Sequence, residues 1–93
     1  MTTYETLVLV DPVLSDDELT KLMNQLGKIA AERHGKIVKE DRMGRRRLAY
    51  PVRKKAEGNY VCLHLELPSQ ELGEWQRQLR LHPNILRQLT CLP

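Results

Sequence analysis

Hydrophobic and polar positions divide the chain into six segments of two different periods. Tyr4-Glu5-Thr6-Leu7-Val8-Leu9-Val10 is β-prone and stops at Asp11-Pro12, where proline blocks continuation, so it reads as a strand. Ser15-Asp16-Asp17-Glu18 then opens a helix as a capping box, in which the Ser15 hydroxyl accepts from the Glu18 amide and the Glu18 side chain reaches back. The acids of this first turn also suit the positive end of the helix dipole. Leu19, Leu22, Leu26, Ile29 and Ala30 recur at spacings of three and four, which gives the helix one core-facing stripe. His34-Gly35 ends it, with Gly35 expected to take the left-handed cap.

Lys36 to Val52 reads as one long extended segment, and Gly44 in its middle predicts a bulge or bend. Arg53-Lys54-Lys55-Ala56-Glu57-Gly58 reads as a polar, basic turn, followed by a strand from Asn59 to Leu67. In that strand Val61, Leu63, Leu65 and Leu67 alternate with Tyr60, Cys62, His64 and Glu66, which predicts the odd positions in the core. Pro68-Ser69 stops the strand and is expected to cap a second helix carrying Leu72, Trp75 and Leu79 on one face, with Trp75 as a core anchor. His82-Pro83-Asn84 breaks that helix, and Ile85 to Leu92 is the last strand. The order β-α-β-β-α-β and the right-handed crossover rule predict an α+β, ferredoxin-like fold: a four-stranded antiparallel sheet with both helices on one face. The other face starts out open. The first strand is apolar on both phases (Leu7 and Leu9; Val8 and Val10), and the last carries Leu86 and Leu92 on one phase and Ile85, Leu89 and Cys91 on the other, so apolar groups are expected on the open face, the kind of patch that marks a protein partner.

Composition narrows the class. Ninety-three residues predict one domain, residues 1–93, with a modest, mostly aliphatic core. No run approaches the roughly 18–20 apolar residues of a membrane span, and Met-Thr-Thr-Tyr-Glu-Thr lacks the features of a secretory signal, so a cytoplasmic protein with no membrane partner is expected. Cys62 and Cys91 are too far apart in sequence to suggest a zinc ligand pair or a redox motif and are expected as small core-filling thiols, with no metal and no cofactor.

The charge is concentrated. Net charge is only +3, but seven of the fifteen Lys and Arg residues fall between Asp41 and Glu57: Arg42, Arg45, Arg46, Arg47, Arg53, Lys54 and Lys55. An ordered basic ribbon suits a phosphate backbone, and guanidinium forks can grip phosphate in bidentate fashion. Strand alternation predicts Arg45 and Arg47 on one side and Arg46 on the other. Arg80 and Arg87 are further candidates for phosphate contact. Tyr4, Tyr50 and Tyr60 fit either sheet packing or a partner-facing surface; with Leu48 they are the candidate partner-binding residues.

Tyr4-Glu5, the string Arg42-Met43-Gly44-Arg45-Arg46-Arg47-Leu48-Ala49-Tyr50-Pro51-Val52, and Gly58-Asn59-Tyr60 together resemble the bacterial small ribosomal subunit protein six family. The Gly-basic-Arg-x-Leu-Ala-Tyr-Pro-Ile/Val string is the specific part, and the match runs from Thr3 to Leu92. The resemblance implies the ferredoxin-like fold, binding to the central domain of 16S rRNA on the ribosome, and a heterodimer with small-subunit ribosomal protein eighteen. Met43 stands where family members often carry Trp, and the charged tail of many members is not present after Pro93.

Other classes fare worse. Acylphosphatase-type enzymes share the topology but need an anion-cradling loop after the first strand, where this chain has Asp11-Pro12-Val13-Leu14. His34, His64 and His82 show no spacing with a nucleophile, so no enzyme and no small-molecule substrate are expected. A free-standing RNA-recognition motif would need a second aromatic beside Tyr60. A small-ligand-binding regulatory domain of the same fold fits the pattern but leaves the arginine cluster unexplained.

Overall fold

A computed structural model describes all residues, Met1–Pro93. Strand β1 (Thr2–Val10) is followed by helix α1 (Asp16–Glu32), strands β2 (Lys36–Val52) and β3 (Lys55–Leu67), a 3-10 turn (Ser69–Glu71), helix α2 (Leu72–Leu81) and strand β4 (Ile85–Cys91). The strands form one sheet in the order β2-β3-β1-β4, antiparallel at every pair. This is the ferredoxin-like arrangement that the element order predicts, and no helix is long and apolar enough to cross a membrane.

One phase of β1 carries the core. Tyr4, Thr6, Val8 and Val10 are buried beneath the helices with Val61, Leu63, Leu65 and Leu67 of β3. Leu19, Leu22, Met23, Leu26 and Ala30 of α1 and Trp75 and Leu79 of α2 pack onto them, with Ile29 and Leu72 half-buried at the margin. Each fully buried large aliphatic side chain contributes about 1.5–3 kcal/mol, so this one face holds most of the hydrophobic stabilisation. A polar thread crosses it: Trp75 Nε1 donates to Thr6 Oγ1 at 3.1 Å, the Thr6 and Thr90 hydroxyls are 2.9 Å apart, and Thr90 donates to Gln88 Oε1 at 2.9 Å. Each buried donor in the thread therefore has an acceptor.

Local geometry follows the sequence signals in part. The α1 capping box is present in both directions, Glu18 N to Ser15 Oγ at 3.2 Å and Ser15 N to Glu18 Oε1 at 2.9 Å. The left-handed residue at the other end is His34 (φ 67°), not Gly35. His34 N donates to Ala31 O and Gly35 N to Ala30 O, a Schellman closure with His34 in the turning position. Gly35 is needed one residue later for proximity: a Cβ there would lie 2.3 Å from Glu66 O. The expected six-residue loop is a two-residue turn, Arg53-Lys54, both at positive φ, and β3 begins at Lys55. No side chain caps the start of α2. Cys62 is half-buried and Cys91 exposed, because both fall on the strand phase that faces away from the helices.

Candidate nucleic-acid interface

β2 is an edge strand, exposed along nearly its whole length, and its register slips three times against β3. Val38 and Met43 are each one extra residue, the second beside Gly44 (φ 86°), as the mid-strand glycine predicts. The third slip is larger. Arg47 pairs with Glu57 and Val52 with Lys55, so Leu48, Ala49, Tyr50 and Pro51 stand opposite Ala56 alone. These four residues form an arch, and Pro51 has no amide to offer the ladder.

The register separates the arginines as alternation requires. Arg45 and Arg47 stand opposite Asn59 and Glu57 on the helix side, and Arg46 opposite Gly58 on the other. Their partners separate them further. Arg42 donates to Glu40 and, at 3.1 Å, to Thr20 of α1. Arg45 donates to the Pro12 carbonyl at 2.7 Å and lies 3.8 Å from Glu57. Lys55 sits 3.7 Å from Asp11. These three cations are tied into the molecule. Arg46, Arg47, Arg53 and Lys54 are exposed and make no ion pair or side-chain hydrogen bond, so the hairpin presents four cations that only an outside anion can neutralise. A surface cation tied to one exposed carboxylate gains little and can exchange it for phosphate.

The sheet face away from the helices has two halves. At one end Leu7, Leu9, Tyr60 and Leu89 meet the arch residues Leu48, Ala49 and Tyr50, with Val52 beyond them, around a largely apolar cavity of about 380 Å³. The arch explains why Leu9 is only 4% exposed although no helix covers it. Gly58 on the neighbouring strand leaves the room, since a Cβ there would lie 2.3 Å from Leu9 Cδ1. Arg87 Nη1 donates to the Tyr50 hydroxyl, its guanidinium carbon 5.8 Å from the ring centroid, and this bond holds the guanidinium still more firmly charged. The arch is thereby latched to β4. Leu89 remains 64% exposed beside the cavity. The other half is polar: His64 Nδ1 lies 3.4 Å from Glu5, and Cys91 pairs with Glu5 on the outer strand. Burial, followed by the Glu5 and Asp41 carboxylates, pushes the Cys62 thiol up, so it stays protonated.

Three of the four expected partner-binding residues, Leu48, Tyr50 and Tyr60, thus line one cavity on the open face. Tyr4 does not. It is 6% exposed and packs in the core, because it shares the inward phase of β1 with Thr6 and Val8. Arg80, at the end of α2, and Arg87, in β4 and bonded to Tyr50, meet Arg53 in a second, smaller cleft. The arch itself is missed by strand periodicity; Pro51 inside a strand-like run is the signal that marks it.

On the open face Cys62 Sγ lies 3.9 Å from His64 Nε2, whose ring also reaches Glu5, but no group of three His, Cys, Asp or Glu side chains is placed to hold a metal ion. After β1, Asp11 Oδ1 accepts from Val13 N at 3.0 Å, so a carboxylate occupies the position where a phosphate-binding loop would present its amides.

Comparison with known proteins agrees with this geometry. The family model for ribosomal protein S6 matches residues 3–91. The small ribosomal subunit protein bS6 of Nocardia farcinica is 46% identical over 87 residues, covering 90% of this chain and 88% of that protein. The bS6 of Acidothermus cellulolyticus is 39% identical over 90 residues, covering 97% and 94%. The crystal structure of 30S ribosomal protein S6 from Thermotoga maritima superposes with a TM-score of 0.87 at 34% identity, over 97% of this chain and 85% of that one. A match that runs through both helices, all four strands and the arginine hairpin leaves one assignment: the chain belongs to the ribosomal protein S6 family.

Proposed function

We propose that this chain is a structural constituent of the small ribosomal subunit that binds the central domain of 16S rRNA as one half of a heterodimer with small-subunit ribosomal protein eighteen. One observation carries the reading: four unpaired cations crowd the β2–β3 hairpin, while Leu7, Leu48, Tyr50, Tyr60 and Leu89 line a largely apolar cavity under the arch on the open sheet face. Two surfaces of opposite chemistry suit two partners, a phosphate backbone and a protein. Phosphate contacts supply affinity and orientation, and the shape of an RNA junction with the partner's surface supplies selectivity. Pairing first would order the joint surface before RNA arrives, lowering the cost of binding.

The test is binding to a central-domain rRNA fragment across a salt series, with and without small-subunit ribosomal protein eighteen. Tight binding is expected only with both proteins. Replacing Arg46 and Arg47 by Gln should weaken the complex and flatten its salt dependence by roughly 0.7–0.9 log units of slope per lost phosphate contact. An unchanged slope would remove these arginines from the RNA interface, and no binding under any condition would overturn the reading. The arch cavity also falls within the size range of small-ligand pockets. A small-ligand domain would use that cavity and leave the hairpin cations without a role.

A further inference from the structure

The second cleft joins the β2–β3 turn to the consecutive elements α2 and β4. Arg53 comes from the β2–β3 turn, Arg80 from the last turn of α2, and Arg87 from β4; Ile85, Leu86 and Gln88 complete the walls. Its volume is about 260 Å³. No carboxylate lines it. Arg53 and Arg80 make no ion pair or side-chain hydrogen bond, and Arg87 bonds only the Tyr50 hydroxyl. Three guanidinium groups around one cleft repel one another, and the buried Ile85 and Leu86 keep water from part of its wall.

Each arginine taken singly has an ordinary explanation. Arg80 complements the negative end of α2, and Arg87 latches the arch. Neither accounts for their convergence with Arg53. The turn that supplies Arg53 adds an independent observation. Arg53 and Lys54 have φ of 48° and 65°, a two-residue hairpin turn that favours Asn-Gly or Gly-Gly. Two long cationic side chains occupy positions where glycine or asparagine would fit without strain, and strain of this kind collects where side-chain identity matters for binding.

We propose that the Arg53–Arg80–Arg87 cleft is a phosphate seat that takes a single backbone phosphate of the RNA, separate from the track along Arg46 and Arg47. The assignment of the phosphate to RNA rests on the function proposed above; the seat itself does not. Planar guanidinium forks from three directions can donate to the non-bridging oxygens together, which lysines could not do in bidentate fashion. Since Arg87 also holds Tyr50, an occupied seat would lie one side chain from the partner-facing cavity.

Inorganic phosphate is titrated into the isolated protein at constant ionic strength, with chloride as the compensating ion, and the arginine Nε–H resonances are followed by NMR. The seat requires saturable shifts of Arg53, Arg80 and Arg87 with one shared midpoint, while Arg46 and Arg47 move little. Arg80→Gln should raise that midpoint about tenfold or abolish saturation, and Arg80→Lys should fall between. All three arginines are exposed, so melting temperatures of the variants should stay near wild type and exclude misfolding as the cause. Shifts that never saturate, or that move every arginine alike, would overturn the seat. For the RNA source, Arg53→Gln combined with Arg80→Gln should lower the salt slope of the ribonucleoprotein complex by roughly 0.7–0.9. An unchanged slope would overturn the assignment to RNA. A wild-type protein that binds no RNA would sink the ribosomal reading instead, and the phosphate titration would still decide the seat.

Discussion

At the scale of single residues, the polar atoms inside the core decide what a substitution costs. Thr6 is fully buried and accepts from the Trp75 indole while meeting the Thr90 hydroxyl. Thr6→Val keeps the shape and strands the indole N–H, so it should destabilise by about 1–3 kcal/mol in urea denaturation. Thr90→Val should cost less, because Thr90 is half-buried and Gln88 can turn to water. His82 makes a different prediction. Its Nε2 lies 2.9 Å from Gln25 Oε1 and its Nδ1 accepts from Asn84 N at 3.2 Å, an arrangement that suits the neutral ring. Burial lowers its pKa from the ordinary 6.5. In the unfolded chain the ring gains its proton near 6.5, while the folded one resists until lower pH. The unfolded state thus binds more protons below 6.5, and stability should fall as pH drops through that value, with no contribution above it. His82→Gln should flatten this part of a stability-versus-pH curve. A curve with the same slope in both proteins would exclude His82 as its source. Glu18, whose pKa the Ser15 bonds lower from 4.5, adds a separate loss at still lower pH.

At the scale of elements, two glycines of β2 and its approach do different work. Gly35 is crowded: a methyl group added there would place its carbon only 2.3 Å from the Glu66 carbonyl, which belongs to the backbone of the residue paired with Lys36 in the sheet. Gly44 has open space around it but sits at φ 86°. Gly35→Ala should therefore strain packing by about 1–3 kcal/mol, and Gly44→Ala should cost about 1–2 kcal/mol through backbone strain alone. Urea denaturation measures both, and removing the bulky neighbour by Leu67→Ala should not rescue Gly35→Ala, because the nearest atom is backbone. These positions also explain what is legible in the sequence. Helix α1 and the inward phase of β3 follow from periods of 3.6 and 2, which tertiary structure leaves intact. A glycine beside a helix end marks the end but not which neighbour turns left-handed; His34 does so because Gly35 is needed against β3. The Arg53-Lys54 turn carries no glycine signal, so the loop reads longer than it is. The cysteines read as core because free thiols are usually buried; alternation in β3 already sets Cys62 on the outward phase, and pairing with Glu5 puts Cys91 there too.

At the scale of the whole molecule, the site depends on a register event that local pattern does not foretell. Leu48, Tyr50 and Tyr60 are readable as partner-facing candidates from the family string, yet their shared cavity exists only because four residues of β2 stand opposite one of β3. The arch folds apolar surface onto one half of the open face and leaves the free arginines on the hairpin beside it. If the two surfaces serve different partners, they should fail separately. Leu89 is exposed at the cavity's edge and lies outside the core cluster, so Leu89→Asp should leave the melting temperature nearly unchanged. It should weaken association with small-subunit ribosomal protein eighteen at least tenfold at any salt, since a carboxylate placed against an apolar surface loses its hydration. Arg46→Gln with Arg47→Gln should do the reverse, leaving the protein pair intact while lowering the salt slope of RNA binding. Both variants are measured by the same two assays, pair formation without RNA and RNA binding with the pair preformed. If Leu89→Asp leaves pair formation untouched, the arch face is not the protein interface. If the arginine variant breaks the pair, the hairpin serves the protein partner rather than RNA.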